Sequence, residues 1–283
     1  MMGRSELLAF VHVEKAAGTT LIHILRYNFF LRHLDVRPLF KASDGTFGPR
    51  DLRVAMMVNP GLRCVAGHSI KAFSGLESGG RRVRYVTILR DPIKRYLSQF
   101  QYTVEQRNEG HSFEQFLRNE WFTNFQTRKF SRTGNLDEAK QVLAEQMSLV
   151  GTSDRFDEFL VMLKRQLEPF PFDPTYRDKN LAKNTLPLDE LLLRHRDDIY
   201  ERNSKDLELY RFAAEELRPR FAAKFGPDLE SQVAAFRSTN SASASRTGAR
   251  LRPYVDYVFR RFYLMPVSGW IRMRHGLPAA GSY

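Results

Sequence analysis

The stretch Val11-His-Val-Glu-Lys-Ala-Ala-Gly-Thr-Thr20 decides the fold class of this chain. It overlaps a short apolar run, residues 7–13, that is rich in strand-forming side chains. After the turn of small residues, apolar side chains recur at helical spacing from Leu21 onward. A buried strand, a glycine-containing turn and a helix in this order are typical of a parallel sheet with helices on its faces.

A second stretch, Tyr85-Val-Thr-Ile-Leu-Arg-Asp-Pro-Ile-Lys-Arg-Tyr-Leu-Ser98, has the same strand-to-helix order. Residues 83–89 are predicted to form the clearest strand of the chain. A helix is predicted to follow at once, with Asp91 as its N-cap and Pro92 in its first position. The stretch therefore places Arg90 at the end of a strand and Ser98 two turns into a helix.

The rest of the chain supports an α/β fold. Short strands are predicted near residues 63–67 and 147–151, and a helix that Ser153 or Asp154 caps is predicted after the second. Residues 35–60 are expected to be irregular. We therefore predict a central parallel sheet flanked by helices, with a helical C-terminal part.

Composition excludes several classes of protein. The chain has 283 residues, and its 27% of charged and 12% of aromatic residues are typical of a globular protein, which excludes wholesale disorder. Cys64 is the only cysteine, which excludes a secreted disulfide scaffold and favours a reducing, cytoplasmic location. The apolar run at residues 7–13 is too short for a membrane span or a signal peptide, so we expect the N-terminus to begin the fold.

The C-terminal part has a composition of its own. Residues 238–248 are almost wholly small and polar, and the last 46 residues carry seven arginines against one acidic residue. We predict a catalytic domain at residues 1–237, a flexible linker at 238–249 and a basic amphipathic tail at 250–283. Apolar residues of the tail recur at helical spacing, and its arginines lie elsewhere on the helical wheel. Such a helix suits peripheral contact with an anionic membrane through residues 250–275, or docking on the protein itself.

The two motifs carry groups that bind anions. Gly18 allows close approach of the backbone, Thr19 and Thr20 are expected to cap the helix, and Lys15 supplies a charge. The order Gly-Lys-Ser/Thr of nucleotide-triphosphate loops is absent, because Lys15 precedes the glycine. In the second motif, the guanidinium of Arg90 suits a phosphate and the hydroxyl of Ser98 adds a donor.

Together the motifs resemble those of carbohydrate sulfotransferases that use 3′-phosphoadenosine-5′-phosphosulfate (PAPS), including the heparan sulfate 2-O- and 6-O-sulfotransferases. The family's first motif is similar to Pro-Lys-Thr-Ala/Gly-Gly-Thr-Thr, and Glu14 stands here in place of the proline. Arg90 and Ser98 match the second motif. Further matches follow at Gly67-His68, Asn124-Phe-Gln-Thr-Arg128 and Val150-Gly-Thr-Ser-Asp-Arg-Phe-Asp157. The resemblance covers roughly residues 7–215.

The resemblance implies a P-loop-NTPase-like sheet and sulfuryl transfer from PAPS, as co-substrate, to a hydroxyl of a polysaccharide, oligosaccharide or glycolipid. His68 would be the catalytic base, and Arg90 and Ser98 would hold the 3′-phosphate. Lys15 would also steady charge on the leaving phosphate. The 5′-phosphosulfate would be held by the first motif: Lys15, Ala16, Ala17, Gly18, Thr19 and Thr20.

Alternatives remain for the base, the substrate contacts and the function. Glu14 and His12 are rival bases, and Asn124 with Arg128 forms either a substrate contact or a helix-surface pair. No spacing typical of metal ligands is present, so we expect metal-free chemistry. A phosphoryl-transfer enzyme on the same fold is the alternative function. A nucleic-acid-binding protein is less favoured, because the body lacks a stripe of alternating aromatic and basic residues.

Overall fold

Five strands form one parallel sheet in the computed structural model, which describes residues 6–38, 45–107, 112–176, 186–242, 258, 260–274 and 276. The strands are β1 (Glu6–Val11), β2 (His33–Asp35), β3 (Cys64–Gly67), β4 (Arg82–Leu89) and β5 (Met147–Thr152), in the spatial order β2-β3-β1-β4-β5. The predicted α/β class with a P-loop-NTPase-like parallel sheet is confirmed.

Helices connect and cover the strands. They are α1 (Gly18–Phe29), α2 (Pro49–Val58), α3 (Pro92–Arg107), α4 (Phe113–Arg118), α5 (Phe125–Phe130), α6 (Leu136–Gln141), α7 (Phe156–Leu167), α8 (Leu188–Arg194), α9 (Arg196–Arg202), α10 (Ser204–Phe212), α11 (Arg218–Phe225), α12 (Leu229–Ala242) and α13 (Met265–Arg274). The main core joins the sheet to α1 and α7, and a second core joins α3 to α4 and α9. This second core is built around aromatic pairs such as Phe100 and Phe113, whose ring centroids lie 4.9 Å apart.

β1 is the central strand, and its register sets the position of the site. All six of its residues are buried, as expected for a parallel strand covered on both faces. Val11 lies beside Gly67 of β3 and Thr87 of β4, and the Thr87 hydroxyl donates to the Val11 carbonyl at 2.9 Å. The carboxyl ends of three neighbouring strands therefore meet at one edge of the sheet.

Two local predictions are wrong. Residues 35–60 are not irregular throughout, because α2 lies within them; the carboxylate of Asp51 accepts from the Gly48 N–H at 2.9 Å and closes its first turn. Neither Ser153 nor Asp154 caps α7. A single 3₁₀ turn, Ser153–Arg155, precedes that helix. The N-cap residue of α7 is Arg155, and its side chain makes no capping hydrogen bond. By contrast, Asp91 accepts from the Lys94 N–H at 2.9 Å at the start of α3, as predicted.

The C-terminal part differs from expectation at its beginning. α12 continues to Ala242, so the first residues of the predicted linker are helical, and Asn240 accepts a bond from the Tyr176 N–H at 3.0 Å. Of the predicted tail helix, residues 250–257 and 259 lie outside the described part of the chain. α13 contacts α2. The division into catalytic domain, linker and tail stays a prediction. Among the described residues, no helix combines the length and apolarity that crossing a bilayer requires.

α5 and α10 cap each other. The buried carboxylate of Asp206 in α10 accepts from the backbone N–H groups of Gln126 and Thr127, at 2.9 and 2.7 Å, and from the Thr127 hydroxyl at 2.8 Å. In return, the side-chain oxygen of Asn124 accepts from the N–H groups of Lys205 and Asp206, at 3.0 and 3.2 Å. α5 has only six residues, so these bonds rather than its own propensity fix its position.

Replacing Asp206 with alanine is expected to lower the free energy of unfolding by about 3 kcal/mol or more, because buried donors at the start of α5 lose their acceptor. Urea denaturation measures the change. Asp197→Ala is the matched control: this exposed carboxylate lies in the first turn of α9, and its removal should cost no more than about 1 kcal/mol. An equal decrease of the free energy of unfolding in the two variants would show that the hydrogen bonds of Asp206 to the start of α5 do not stabilise the two helices.

Candidate active site

The candidate site lies at the carboxyl edge of the sheet. The turn after β1 brings residues 12–17 there, β3 brings His68 and β4 brings Arg90. In open parallel sheets this edge is where ligands bind. A cavity of about 550 Å³ at the far ends of α1 and α7, lined by Tyr27 and Lys164, belongs to the opposite edge.

The turn after β1 has an unusual backbone. Lys15 and Ala17 adopt left-handed conformations, with φ of 63° and 60°, at a cost of order 1 kcal/mol or more each. Ala17 is the N-cap of α1 and supplies no side-chain bond, while Thr19 and Thr20 lie inside the first turn. The expectation that these threonines cap the helix is therefore wrong. The N-terminus of α1, without a side-chain cap, is suited to an anion.

Gly18 is required by its neighbour His12. A Cβ built on Gly18 would lie 1.9 Å from the His12 ring, far inside van der Waals contact. From the sequence, Gly18 is predicted to allow close approach of an anion. The structure adds a second reason, because the imidazole of His12 packs directly against the backbone where α1 begins.

His12 and His68 form a stacked pair of imidazoles. Their ring centroids lie 4.0 Å apart, and Phe10 stacks on His12 with centroids 5.3 Å apart. His12 is buried, and burial, with a smaller contribution from the charges of His68 and Lys129, lowers its pKa to about 2. His12 is therefore neutral at physiological pH and is a weak proton acceptor.

His68 has the properties of a base at neutral pH. Its side chain is 51% exposed, its Nδ1 lies 3.3 Å from the carbonyl oxygen of His12, and the same atom lies 3.7 Å from Glu14 Oε1. Donation from Nδ1–H to the carbonyl assigns the tautomer in which Nε2 carries the lone pair. Burial of one face lowers the pKa of His68, while the charge of Glu14 acts in the opposite direction.

Lys15 and Arg90 place two positive charges beside each other. Arg90 Nη1 donates to the Lys15 carbonyl at 2.8 Å, and Lys15 Nζ lies 4.4 Å from the centroid of the Tyr102 ring. Burial lowers the pKa of both groups, and the charge of Arg90 lowers that of Lys15 further. Like charges held together at a helix N-terminus favour an anionic ligand.

Gln126 fixes the backbone of Arg90. The Arg90 N–H donates to Gln126 Oε1 at 3.0 Å, and Gln126 Nε2 donates to the Arg90 carbonyl at 2.8 Å. Ser98 is half-buried on α3, one turn before Tyr102 and on the same face of the helix. The structure thus brings Lys15, Arg90 and the face of α3 that carries Ser98 to one place.

Asn124 and Arg128 lie in structural contacts. The side-chain oxygen of Asn124 caps α10, and Arg128 Nη2 donates to the Trp121 carbonyl, with its guanidinium 5.7 Å from the Trp121 ring centroid. Neither side chain contacts His68, Lys15 or Arg90 in these interactions. Their assignment to the substrate stays a prediction.

Sequence reasoning missed two residues of α5. Gln126 lies within the match Asn124–Arg128, of which only Asn124 and Arg128 are predicted as substrate contacts, and Lys129 follows directly after that match. Lys129 is 8% exposed, and its ammonium donates to the backbone carbonyl of His68. Burial is not visible in the sequence, where Lys129 has the appearance of an ordinary solvated lysine, so no sequence signal could have found it.

A second cluster with reactive side chains lies on β2 and β3. Cys64 Sγ is 3.3 Å from His33 Nδ1, and His33 Nε2 is 3.0 Å from Asp35 Oδ1. Burial raises the pKa of the Cys64 thiol well above its usual range, and the residue has no exposed surface. With His33 donating to Asp35, the thiol donates to the histidine, so this triad is a structural contact.

In the part of the chain that the structure describes, no group of three or more His, Cys, Asp or Glu side chains is arranged to hold a metal ion. The absence of metal from the chemistry stays a prediction.

Comparison with known proteins gives the family. A search of curated protein sequences finds no match. A family model described as "Sulfotransferase family" matches residues 1–189, about two thirds of the chain. The matched part contains the turn after β1, His68, Arg90, Ser98 and α5, while the Asp206 cap lies beyond it. The chain therefore belongs to the sulfotransferase family.

Proposed function

We propose that this sulfotransferase transfers the sulfuryl group of PAPS to a hydroxyl of a carbohydrate. The observation that carries the proposal is the pairing of an anion site with a neutral imidazole at one sheet edge. Lys15 and Arg90 lie at the N-terminus of α1, and His68 lies at the end of the neighbouring strand. The carbohydrate class of the acceptor rests on the resemblance of the motifs.

The chemistry assigns one role to each group. The Nε2 of His68 takes the proton of the acceptor hydroxyl as its oxygen attacks sulfur. The bond between sulfur and the bridging oxygen of the 5′-phosphate breaks, and the negative charge stays on the departing nucleotide. Lys15 and the N–H groups at the start of α1 stabilise that charge. Glu14, 3.7 Å from His68 Nδ1, then stabilises the imidazolium.

Arg90→Ala is expected to weaken binding of 3′-phosphoadenosine-5′-phosphate by about 1.5–3 kcal/mol, which is about 10- to 150-fold in Kd, because a charge-assisted contact to the 3′-phosphate is lost. Ser98→Ala should have a smaller effect in the same direction. Titration calorimetry measures both, with Arg211→Ala, an exposed arginine of α10, as the matched control.

Two further ligands test the class of enzyme in a thermal-shift experiment. ATP with Mg²⁺ and a short oligonucleotide should raise the thermal midpoint less than the diphosphate does. An unchanged affinity of Arg90→Ala for 3′-phosphoadenosine-5′-phosphate would show that the second motif does not bind the cofactor. Stronger stabilisation by ATP with Mg²⁺ would favour phosphoryl transfer.

His68→Ala is expected to reduce turnover by roughly 10²- to 10⁴-fold, the usual contribution of a general base, with donor affinity retained. Lys15→Ala should reduce both turnover and donor affinity, because its contact exists before and during the transfer. Transfer from labelled PAPS to fractionated glycans is the assay, and it also identifies the acceptor.

The control for these variants is His23→Ala, which removes an exposed imidazole from α1. Full activity of His68→Ala, together with an inactive Glu14→Gln, would move the base to Glu14.

We propose in addition that the tail binds anionic membranes peripherally, at a cytoplasmic surface. Phe262, Trp270 and Met273 are 72%, 54% and 77% exposed, and Arg261 and Arg274 are exposed beside them. Aromatic side chains with arginines alongside suit the interface of a bilayer. The contact of α13 with α2 is the competing arrangement.

The tail proposal is tested by co-sedimentation with anionic liposomes at low and high salt. The full chain should sediment at low salt, and a chain ending at Ala242, the last residue of α12, should stay in the supernatant with its activity intact. Trp270→Ser should weaken sedimentation of the full chain. Equal recovery of both chains in the supernatant would contradict membrane binding. A shortened chain that fails to fold would favour docking on α2.

A further inference from the structure

A buried ammonium group beside His68 has no part in the mechanism given above. Lys129 lies in α5 with 8% of its surface exposed, and its Nζ donates to the backbone carbonyl of His68. Burying the charge of a lysine costs free energy unless hydrogen-bond partners or opposite charges compensate for the lost water. Here the hydrogen-bond partner is the backbone of the proposed base itself.

The position of Lys129 is set by the same helix that fixes Arg90. Gln126 and Lys129 are three residues apart and share a face of α5. Gln126 bonds both backbone groups of Arg90, and Lys129 bonds the backbone of His68. Asp206 in turn holds the start of α5. The helix therefore connects the anion site to the proposed base.

We propose that Lys129 is a positioning residue for the proposed base: it anchors the backbone of His68 and presents a positive charge to the imidazole. This inference rests on the proposed function, in which His68 accepts the proton. Its two parts, the anchor and the charge, are separable by substitution.

The charges around His68 determine the direction in which Lys129 shifts the pKa of His68. The negative charge of Glu14, in the turn after β1, stabilises the imidazolium form of His68 and so raises the pKa of His68. The positive charge of Lys129 destabilises that form and so lowers the pKa of His68. The stacked ring of His12 is neutral. Burial lowers the pKa of Lys129 to about 8, with Lys71 acting in the same direction and Glu14 against it. At neutral pH the ammonium is therefore still charged, and it keeps more of His68 in the form that accepts a proton.

Three variants separate the anchor from the charge. Lys129→Arg keeps both, Lys129→Gln keeps a donor for the carbonyl without the charge, and Lys129→Met keeps neither. Lys164→Met, on α7 near the opposite sheet edge, is the matched control. The readouts are the NMR titration of the His68 ring, assigned by its loss in His68→Asn, and the pH dependence of kcat/KM.

The titration midpoint of His68 should move to higher pH in the Gln and Met variants and stay close to wild type in Lys129→Arg and Lys164→Met. At pH 6 kcat/KM should fall by roughly three- to tenfold in Lys129→Gln and recover above pH 8, as expected for removal of one nearby charge. Lys129→Met should lose rate at every pH, because the backbone of His68 also loses its anchor.

Two outcomes would overturn the inference. One is an unchanged His68 midpoint in folded Lys129→Gln, which would refute the role of the charge. The other is a rate of folded Lys129→Met equal to that of Lys129→Gln at every pH, which would refute the role of the anchor. The NMR titration does not depend on turnover. A fully active His68→Ala would therefore refute the assignment of His68 as the base without affecting the titration result, and an unmoved midpoint would refute the effect of the Lys129 charge alone.

Discussion

The buried carboxylate of Asp206 is the interaction on which the site depends. It accepts three hydrogen bonds from the start of α5, a helix too short to hold its place unaided. Burial raises the pKa of this carboxyl, and its bonds to α5 act in the opposite direction. Because α5 bonds the backbones of Arg90 and His68, the geometry of both halves of the site follows from this cap. Two residues 80 positions apart in sequence, Gln126 and Asp206, thereby join the C-terminal helices to the sheet edge.

The turn after β1 imposes the second constraint. Two non-glycine residues, Lys15 and Ala17, are held in left-handed conformations, and the ring of His12 occupies the space that a side chain at position 18 would need. The buried register of β1 against β3 and β4 stabilises this arrangement. Strain of this kind is found where a site is preorganised. Here its result is a helix N-terminus without a side-chain cap, beside two cations.

Local sequence signals predicted most of the sheet and the two motifs. Strand-forming residues before a glycine turn, and the Arg90-Asp91-Pro92 sequence after a strand, determine structure within a few residues and need no distant partner. β2 was not predicted because three residues carry too little periodicity. α2 was missed although Pro49 and Asp51 mark its start. Gln126, Lys129 and Asp206 were missed for another reason: each acts through a contact at least 36 positions away in sequence.

The choice between the two stacked imidazoles follows from their unequal burial. Two rings with centroids 4.0 Å apart cannot both be charged without mutual repulsion, so the more exposed ring takes the proton. His12 lies under His68, against Phe10 and the backbone of Gly18, and its pKa is lowered accordingly. His68 is exposed, with Glu14 and Lys129 acting on it in opposite directions. In the proposed reaction Glu14, which stands where the motif that this turn resembles has a proline, supplies the negative charge that stabilises an imidazolium. Lys129 would supply the positive charge that keeps the resting ring neutral, and the two charges together suit the proposed base, which must gain and release one proton in each turnover.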